Sequence, residues 1–351
     1  MKRAILFLLA LAILLPAQAM ALTTVDPTLN RLISPQEVPA NNPEIPGESM
    51  TTGLPASGPY IPVLVNIDNV QGAWPQWGIG EADIIYEMPI HGLSLTRLMA
   101  LFTQDHPKDV GPVRSGRVMH AEMREEWDAG WAYFGVQTKP GSDVNNVLRR
   151  LEVKDKPVDL LINGIGNKWD GVFFQKSGYA NPHNHSLRLR EAAEMIKAYD
   201  FPKRPFLFTD ELPSTGVPAA AIFLAYGLDG SSYSSSSYAY DPLSNTYARS
   251  RNRQPYEDLH QPGVALTFSN VIVQWTTLKF NGSADAPLLT LVGEGNADIF
   301  TGSRYIAGYW KRASIEARTV FYDAEGQEIR LQRGKTFINI TADRSTKLRY
   351  E

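Results

Sequence analysis

The chain has no cysteine among its 351 residues. Disulfides, thiolate metal ligands, a cysteine nucleophile and an acylated lipobox cysteine are thereby excluded. The protein must cohere by packing alone, which its length permits. It also lacks an excess of either charge, with 34 Lys and Arg against 37 Asp and Glu and a formal net charge of -3. That balance offers no broad basic surface for nucleic acid or for an acidic membrane. No apolar run reaches the roughly 20 residues that a spanning helix needs. Gly-x-Ser-x-Gly elbow, Walker loop, dinucleotide glycine fingerprint and Ser-x-x-Lys pair are all missing, and no fixed period suggests a solenoid or propeller. What is plentiful is apolar: 43% hydrophobic and 10% aromatic residues suffice for a sizeable core. At roughly 150 residues per domain, two domains are expected.

The first residues indicate a destination. Lys2 and Arg3 precede an apolar run from Ala4 to Leu15 that Pro16 breaks, and Ala17-Gln18-Ala19 and Ala19-Met20-Ala21 follow. This is the layout of a secretory signal peptide with small-residue cleavage sites. The spacing predicts removal of residues 1–21 and a mature chain beginning at Met20 or Leu22, with a single uncleaved anchor as the alternative. The mature chain then carries 32 basic and 37 acidic residues. The expectation is an exported protein, periplasmic or extracellular, soluble once the signal is cleaved and without a transmembrane span.

Residues 22–59 are rich in Thr, Pro and Asn with no apolar period, which reads as an extended tether. Residues 60–212 interleave strands with helices and predict an α/β domain of sandwich type. Its strands are expected at Ile61–Ile67, Asp83–Ile90, Thr96–Phe102, Trp131–Val136 and Val158–Ile162. Its helices are expected at Arg117–Ala129 with Gly130 as C-cap, at Asp143–Leu151, and at Leu187–Tyr199 with Ser186 as N-cap. Residues 218–342 show no useful helical period and predict a smaller all-β domain, a barrel or sandwich, with 343–351 as a tail. There, Gly230–Ser237 reads as a serine-rich loop. Asp241-Pro242 reads as the turn of a hairpin between Tyr238–Tyr240 and Thr246–Arg249. The fold class is α+β overall.

An ordered set of motifs then stands out. It comprises Thr52-Gly53-Leu54-Pro55, Val65-Asn66-Ile67-Asp68-Asn69, Pro75-Gln76-Trp77-Gly78-Ile79, Ala82-Asp83-Ile84-Ile85-Tyr86-Glu87, Thr96-Arg97-Leu98-Met99-Ala100 and Gly111-Pro112-Val113-Arg114-Ser115-Gly116-Arg117. Pro182-His183-Asn184, Asn270-Val271-Ile272-Val273 and Gly308-Tyr309-Trp310 continue it. Together they resemble the YerB-like family of exported two-domain bacterial proteins, across nearly all of Thr52 to Ala342. The resemblance implies architecture and export rather than a mechanism. The chain departs from the family's lipoproteins in having no cysteine to acylate, and it carries Ile90-His91-Gly92 where the family usually has Glu-Gly-Gly.

Three constellations could carry chemistry. The first is Arg114, Ser115, Gly116 and Arg117 at a predicted strand-to-helix turn, with Arg97 on the preceding strand. A helix start offers unpaired N–H groups, and guanidiniums add forked donors for phosphate or carboxylate. The competing account has Ser115 capping the helix while the arginines pair with Glu81, Asp83 or Glu87. The second is Asp68, Asp83 and Glu87, carboxylates suited to acid–base work or, with Asn66 and Asn69, to a divalent cation. Turn formation explains Asp68-Asn69 equally well, and Arg97 or Arg114 would satisfy Glu87. The third is His183-Asn184-His185. No zinc spacing surrounds it, so a polar loop is the preferred account and no metal or cofactor is implied, leaving His183 as an acid or base. Trp74-Pro75-Gln76-Trp77 and Asn167-Lys168-Trp169 could stack on sugar rings or pack in the core.

Three functions follow from these features. The leading one is a cell-envelope binding module that holds an anionic ligand such as wall glycan, a lipid-linked precursor or a phosphate ester through Arg97, Arg114, Ser115, Gly116 and Arg117. The second is an envelope glycan hydrolase or phosphotransferase using Asp68, Glu87 and His183 with the same arginines. The strand, Arg-Ser-Gly-Arg turn and helix are similar in layout to the phosphate-handling core of LytR-type glycan phosphotransferases. The third is a structural protein that docks an envelope partner through its β domain.

Overall fold

Eleven strands drawn from both halves of the chain form one mixed sheet. The computed structural model describes residues 22–29, 31, 41–227, 234–281, 286–343 and 346–351. The expected signal peptide lies outside the described residues. The sheet order is Val217–Pro218, Arg304–Arg312, Gly293–Thr301, Asn270–Trp275, Thr336–Thr341, Ile84–His91, Leu95–Phe102, Val63–Ile67, Gly130–Tyr133 and Leu161–Asn163, with Val320–Tyr322 also beside Arg304–Arg312. Each half supplies a contiguous block, and the blocks meet where Thr336–Thr341 runs parallel to Ile84–His91. The central strands form here because they are continuous apolar runs: Val63–Ile67 is buried throughout, as are seven of the eight residues of Ile84–His91 and of Leu95–Phe102. A strand covered on both faces needs that composition.

The period of two sorts these strands onto two cores. Leu64, Ile84, Tyr86, Met88, Met99 and Leu101 face one side, packed with the helices α1 (Val118–Trp127) and α2 (Val144–Arg150). Val63, Val65, Ile67, Ile85, Leu98, Ala100 and Phe102 face the other, packed with the helix α3 (Leu189–Ile196) and with a second sheet. That sheet has seven strands: Thr23–Thr24, Thr346–Tyr350, Ala221–Tyr226, Ser234–Asp241, Thr246–Arg251 and Gln254–Pro255 in order, with Thr267–Phe268 also paired to Thr246–Arg251.

Several expectations are corrected. The protein is sheet-dominated, with three α-helices among the described residues; an α/β sandwich of the N-terminal half is not confirmed, and its strands share one sheet with those of the C-terminal half. The described C-terminal half is rich in strands, and these are divided between the shared sheet and the sheet packed on it. Within residues 22–59, described residues contact the rest of the chain. Thr23–Thr24 pairs with the last strand, Arg31 Nη1 lies 2.5 Å from Asp298, and the Thr51 hydroxyl donates to Asp83 Oδ2 at 2.8 Å. The described part of the serine run, from Ser234, is strand rather than loop, and the hairpin beyond it pairs Tyr238 with Arg249 and Ala239 with Ala248 as expected. Helix α1 is capped by Asp128 in a left-handed conformation, φ 43°, and Gly130 opens the next strand. Ser186 caps nothing: it lies in the strand His185–Leu187, where its hydroxyl accepts from the Trp77 indole at 2.9 Å.

Candidate functional site

Register builds the site. Val63–Ile67 runs antiparallel to Leu95–Phe102 with Ile67 opposite Leu98, so one step further Asp68 faces Arg97 on the α1 side of the sheet. The Gly111–Arg114 segment then closes over that end: Asp68 N–H donates to the Pro112 carbonyl and Arg114 N–H to the Asn66 carbonyl, both at 2.9 Å. Val113 N–H donates to the His185 carbonyl at 2.7 Å, which brings in the chain that carries His183.

Asp68, 1% exposed, is the hub. Its Oδ2 lies 2.9 Å from Arg114 Nε, though that N–H is not aimed at it, and 2.8 Å from His183 Nδ1. Its Oδ1 accepts Asn69 N–H at 2.9 Å and lies 3.9 Å from Arg97 Nη2. Burial works to raise the Asp68 carboxyl, but the charges of Arg97 and Arg114 and the His183 hydrogen bond outweigh it and hold the group below its ordinary value. Arg97 Nη1 donates to the Ser115 carbonyl at 2.7 Å and to its hydroxyl at 3.1 Å, and Arg117 Nη1 reaches the same hydroxyl at 2.8 Å. Burial pulls the Arg97 guanidinium down to about 9, with Arg117 and Arg114 pushing the same way against Asp68. It remains a cation at neutral pH.

Arg97, Arg114 and Arg117 therefore lie together, with Asp68 and His183 among them. Gly116 plays a different part. Its N–H is taken by the Gly135 carbonyl at 2.9 Å, and a Cβ there would sit 2.6 Å from the Trp131 ring. Two further amides of this turn are also engaged within the protein. Arg114 N–H is used by Asn66, and Arg117 N–H donates to His120 Nδ1 at 3.2 Å.

Glu87 is elsewhere. It alternates onto the opposite face from Arg97 and pairs with Arg249 of the C-terminal half, Oε2 to Nη2 at 2.9 Å, with both side chains fully buried. Its Oε1 accepts from the Thr96 hydroxyl at 2.6 Å and from Asn69 Nδ2 at 3.0 Å. Asp83, raised by burial, is held by Thr51 and Thr103 hydroxyls. The three carboxylates thus share no site. The histidine pair also parts, since His185 stacks on Phe134 with ring centroids 3.6 Å apart. Trp77 and Trp169 are core residues.

Sequence reasoning considered His120, on α1, only as a third ligand for the histidine pair and did not place it beside the arginines. Its Nδ1 accepts from Arg117 N–H, so the neutral ring carries its proton on Nε2, which has no acceptor among the described residues. Burial and the nearby Arg97 and Arg117 keep the imidazole well below its usual value and hence neutral. A histidine three residues after Arg117 on a helical face was the available signal.

The family model described as "Protein of unknown function (DUF3048) N-terminal domain" matches residues 51–201, and the corresponding C-terminal domain model matches 226–338. The chain is 25% identical over 288 residues to the Bacillus subtilis (strain 168) protein named "Putative lipoprotein YerB", covering 80% of this chain and 81% of that one. The crystal structure of YerB from Bacillus subtilis superposes with a TM-score of 0.71 at 23% identity, over 86% of this chain and 99% of that chain.

Proposed function

The chain belongs to the two-domain DUF3048 family of YerB-like proteins, and from that premise we infer that it binds an anionic ligand of the cell envelope at the Arg97–Arg114–Arg117 cluster. The observation that carries this reading is the convergence of the three guanidiniums. Three guanidiniums gather around one carboxylate, Asp68, in a partly buried site where Arg114 keeps 27% of its side chain exposed. Guanidiniums gathered at one partly exposed site present forked, charge-assisted donors of the kind that hold an oxyanion. Wall glycan, a lipid-linked precursor and a phosphate ester all carry suitable oxyanions. Export to the envelope is part of the proposal. It draws on the signal-like start, on a relative named as a lipoprotein, and on the finding that no helix among the described residues is long and apolar enough to cross a membrane.

Titration of the mature chain with phosphate, pyrophosphate and soluble wall-glycan fragments tests it. Charge-assisted hydrogen bonds contribute about 1.5–3 kcal/mol each, so Arg114→Ala or Arg117→Ala is expected to weaken binding about ten- to a hundredfold with little change in melting. Variants that melt several degrees lower, together with wild type that binds no anion at millimolar concentration, would sink the proposal.

One observation favours a second reading. The Asp68–His183 contact fixes the imidazole with Nδ1–H toward the carboxylate, leaving Nε2 as a base on a side chain 23% exposed. Beside an arginine cluster that arrangement suits hydrolysis or transfer at a phosphate ester or glycan. Turnover lost in His183→Gln with ligand affinity retained would select it.

A further inference from the structure

A second group of buried polar atoms lies at the far end of the loop that follows Asp68, in a cleft of about 320 Å³ between Trp74 and Tyr256. Arg251, on the last residue of its strand, is 2% exposed. Its Nη2 donates to the Ser234 hydroxyl at 2.6 Å, but its Nε and Nη1 have no acceptor among the described residues. The half-buried Trp74 ring covers the guanidinium at 4.5 Å from the ring centroid, and the Trp74 indole N–H is itself unpaired. Gln76, fully buried, donates from Nε2 to the Asp68 carbonyl at 2.9 Å, which leaves Oε1 without a donor. The Tyr256 hydroxyl has no partner either. Each of these residues lines the same cleft.

Unpaired buried polar groups are rare because each forfeits its hydration for nothing, and a cation forfeits most. Chance would scatter such groups over the molecule, yet four flank one opening. The Glu87 carboxylate of this region is already engaged by Arg249, Thr96 and Asn69. At the rim, Glu257 Oε2 accepts from Gly263 N–H at 2.9 Å. The set is therefore rich in donors with one free acceptor, Gln76 Oε1, and flat apolar walls at Trp74, Pro75 and Pro255.

We propose that this cleft is a binding site, separate from the three-arginine cluster, for a small ligand that presents an oxyanion to Arg251 and an adjacent hydroxyl or amide N–H to Gln76, such as a hydroxy acid or an N-acyl amino acid. Trp74 covers the guanidinium, so the ligand enters as that ring swings aside.

The test titrates the full mature chain with lactate, N-acetylalanine, acetate and inorganic phosphate up to roughly 10 mM, read by calorimetry and tryptophan emission. The expected result is saturable binding, with lactate or N-acetylalanine tighter than acetate, which lacks the donor for Gln76. Binding should weaken at least about tenfold in Arg251→Gln and persist in Arg117→Ala. The emission change should disappear in Trp74→Phe. Wild type that binds none of the probes, binding abolished by Arg117→Ala but untouched by Arg251→Gln, or acetate and phosphate binding as tightly as lactate would each overturn the proposal. If Arg251→Gln does not fold, Tyr256→Phe decides, since it removes only a hydroxyl. It should weaken lactate roughly two- to tenfold, and unchanged affinity refutes the site.

Discussion

The Glu87–Arg249 pair bridges the two halves where their strands meet, and its removal should be felt throughout the molecule. Neither side chain has any exposure. Arg249 Nη2 also donates to the Ser236 hydroxyl at 2.8 Å, and the guanidinium lies 4.2 Å from the Tyr256 ring centroid and 4.5 Å from that of Phe337. Replacing Arg249 by Met keeps most of the volume but strands a buried carboxylate, a loss of about 3–5 kcal/mol. At about 2 °C per kcal/mol for a chain of this size, that lowers the melting temperature by roughly 6–10 °C. Glu87→Leu should cost a similar amount by stranding the cation. The double variant removes both charges and leaves the Ser236 hydroxyl without the guanidinium, at about 1–3 kcal/mol, while Asn69 Nδ2 and the Thr96 hydroxyl keep each other at 2.8 Å. It should melt between the single variants and wild type, with a coupling energy of up to about 3 kcal/mol. Calorimetric melting of the four proteins measures this. Strict additivity, or an Arg249→Met variant within about 1 kcal/mol of wild type, would refute the reasoning, because no buried and exclusive pair behaves so.

Other outcomes are equally specific. Because the Asp68 carboxyl is held below its ordinary value of about 3.9, its interactions add stability that is complete above that pH and lost as pH falls through the lower folded value. Asp68→Asn should therefore melt below wild type at pH 7, and the gap should close towards pH 3. A constant gap would mean that Asp68 contributes by shape alone. Gly116→Ala pushes a methyl against Trp131 and should cost about 1–3 kcal/mol in chemical denaturation, whereas a ligand-contacting glycine would show its loss in affinity first. Residues 22–212 and 213–351, made separately, should each lack a cooperative transition and should copurify when made together. A monomeric, cooperatively melting 22–212 fragment would contradict the shared sheet.

The strands at Val63–Ile67, Ile84–His91 and Leu95–Phe102 were legible because fully buried strands are written as unbroken apolar runs, and the 234–251 hairpin because Asp241-Pro242 punctuates it. Convergence of Arg97, Arg114, Arg117, Asp68 and His183 was readable as a possibility from residue type, but their meeting depends on register and on the Gly111–Arg114 crossover, which local patterns do not encode. Glu87 shows the limit most plainly. Its parity relative to Arg97 emerges only once the two strands are paired, and its partner Arg249 lies in the other half. The serine run misled because Ser234 and Ser236 are buried by tertiary packing that overrides their weak strand preference.

The meeting of Thr336–Thr341 with Ile84–His91 also sets a timetable. A ribosome delivers the second of these strands about 250 residues after the first. Until then the earlier one has an open, apolar edge of the kind that recruits neighbouring chains. Nascent molecules must wait or be shielded, and a message truncated only slightly before codon 336 removes the middle of the structure rather than its fringe. For this protein the last fifteen or so residues are among the first that matter.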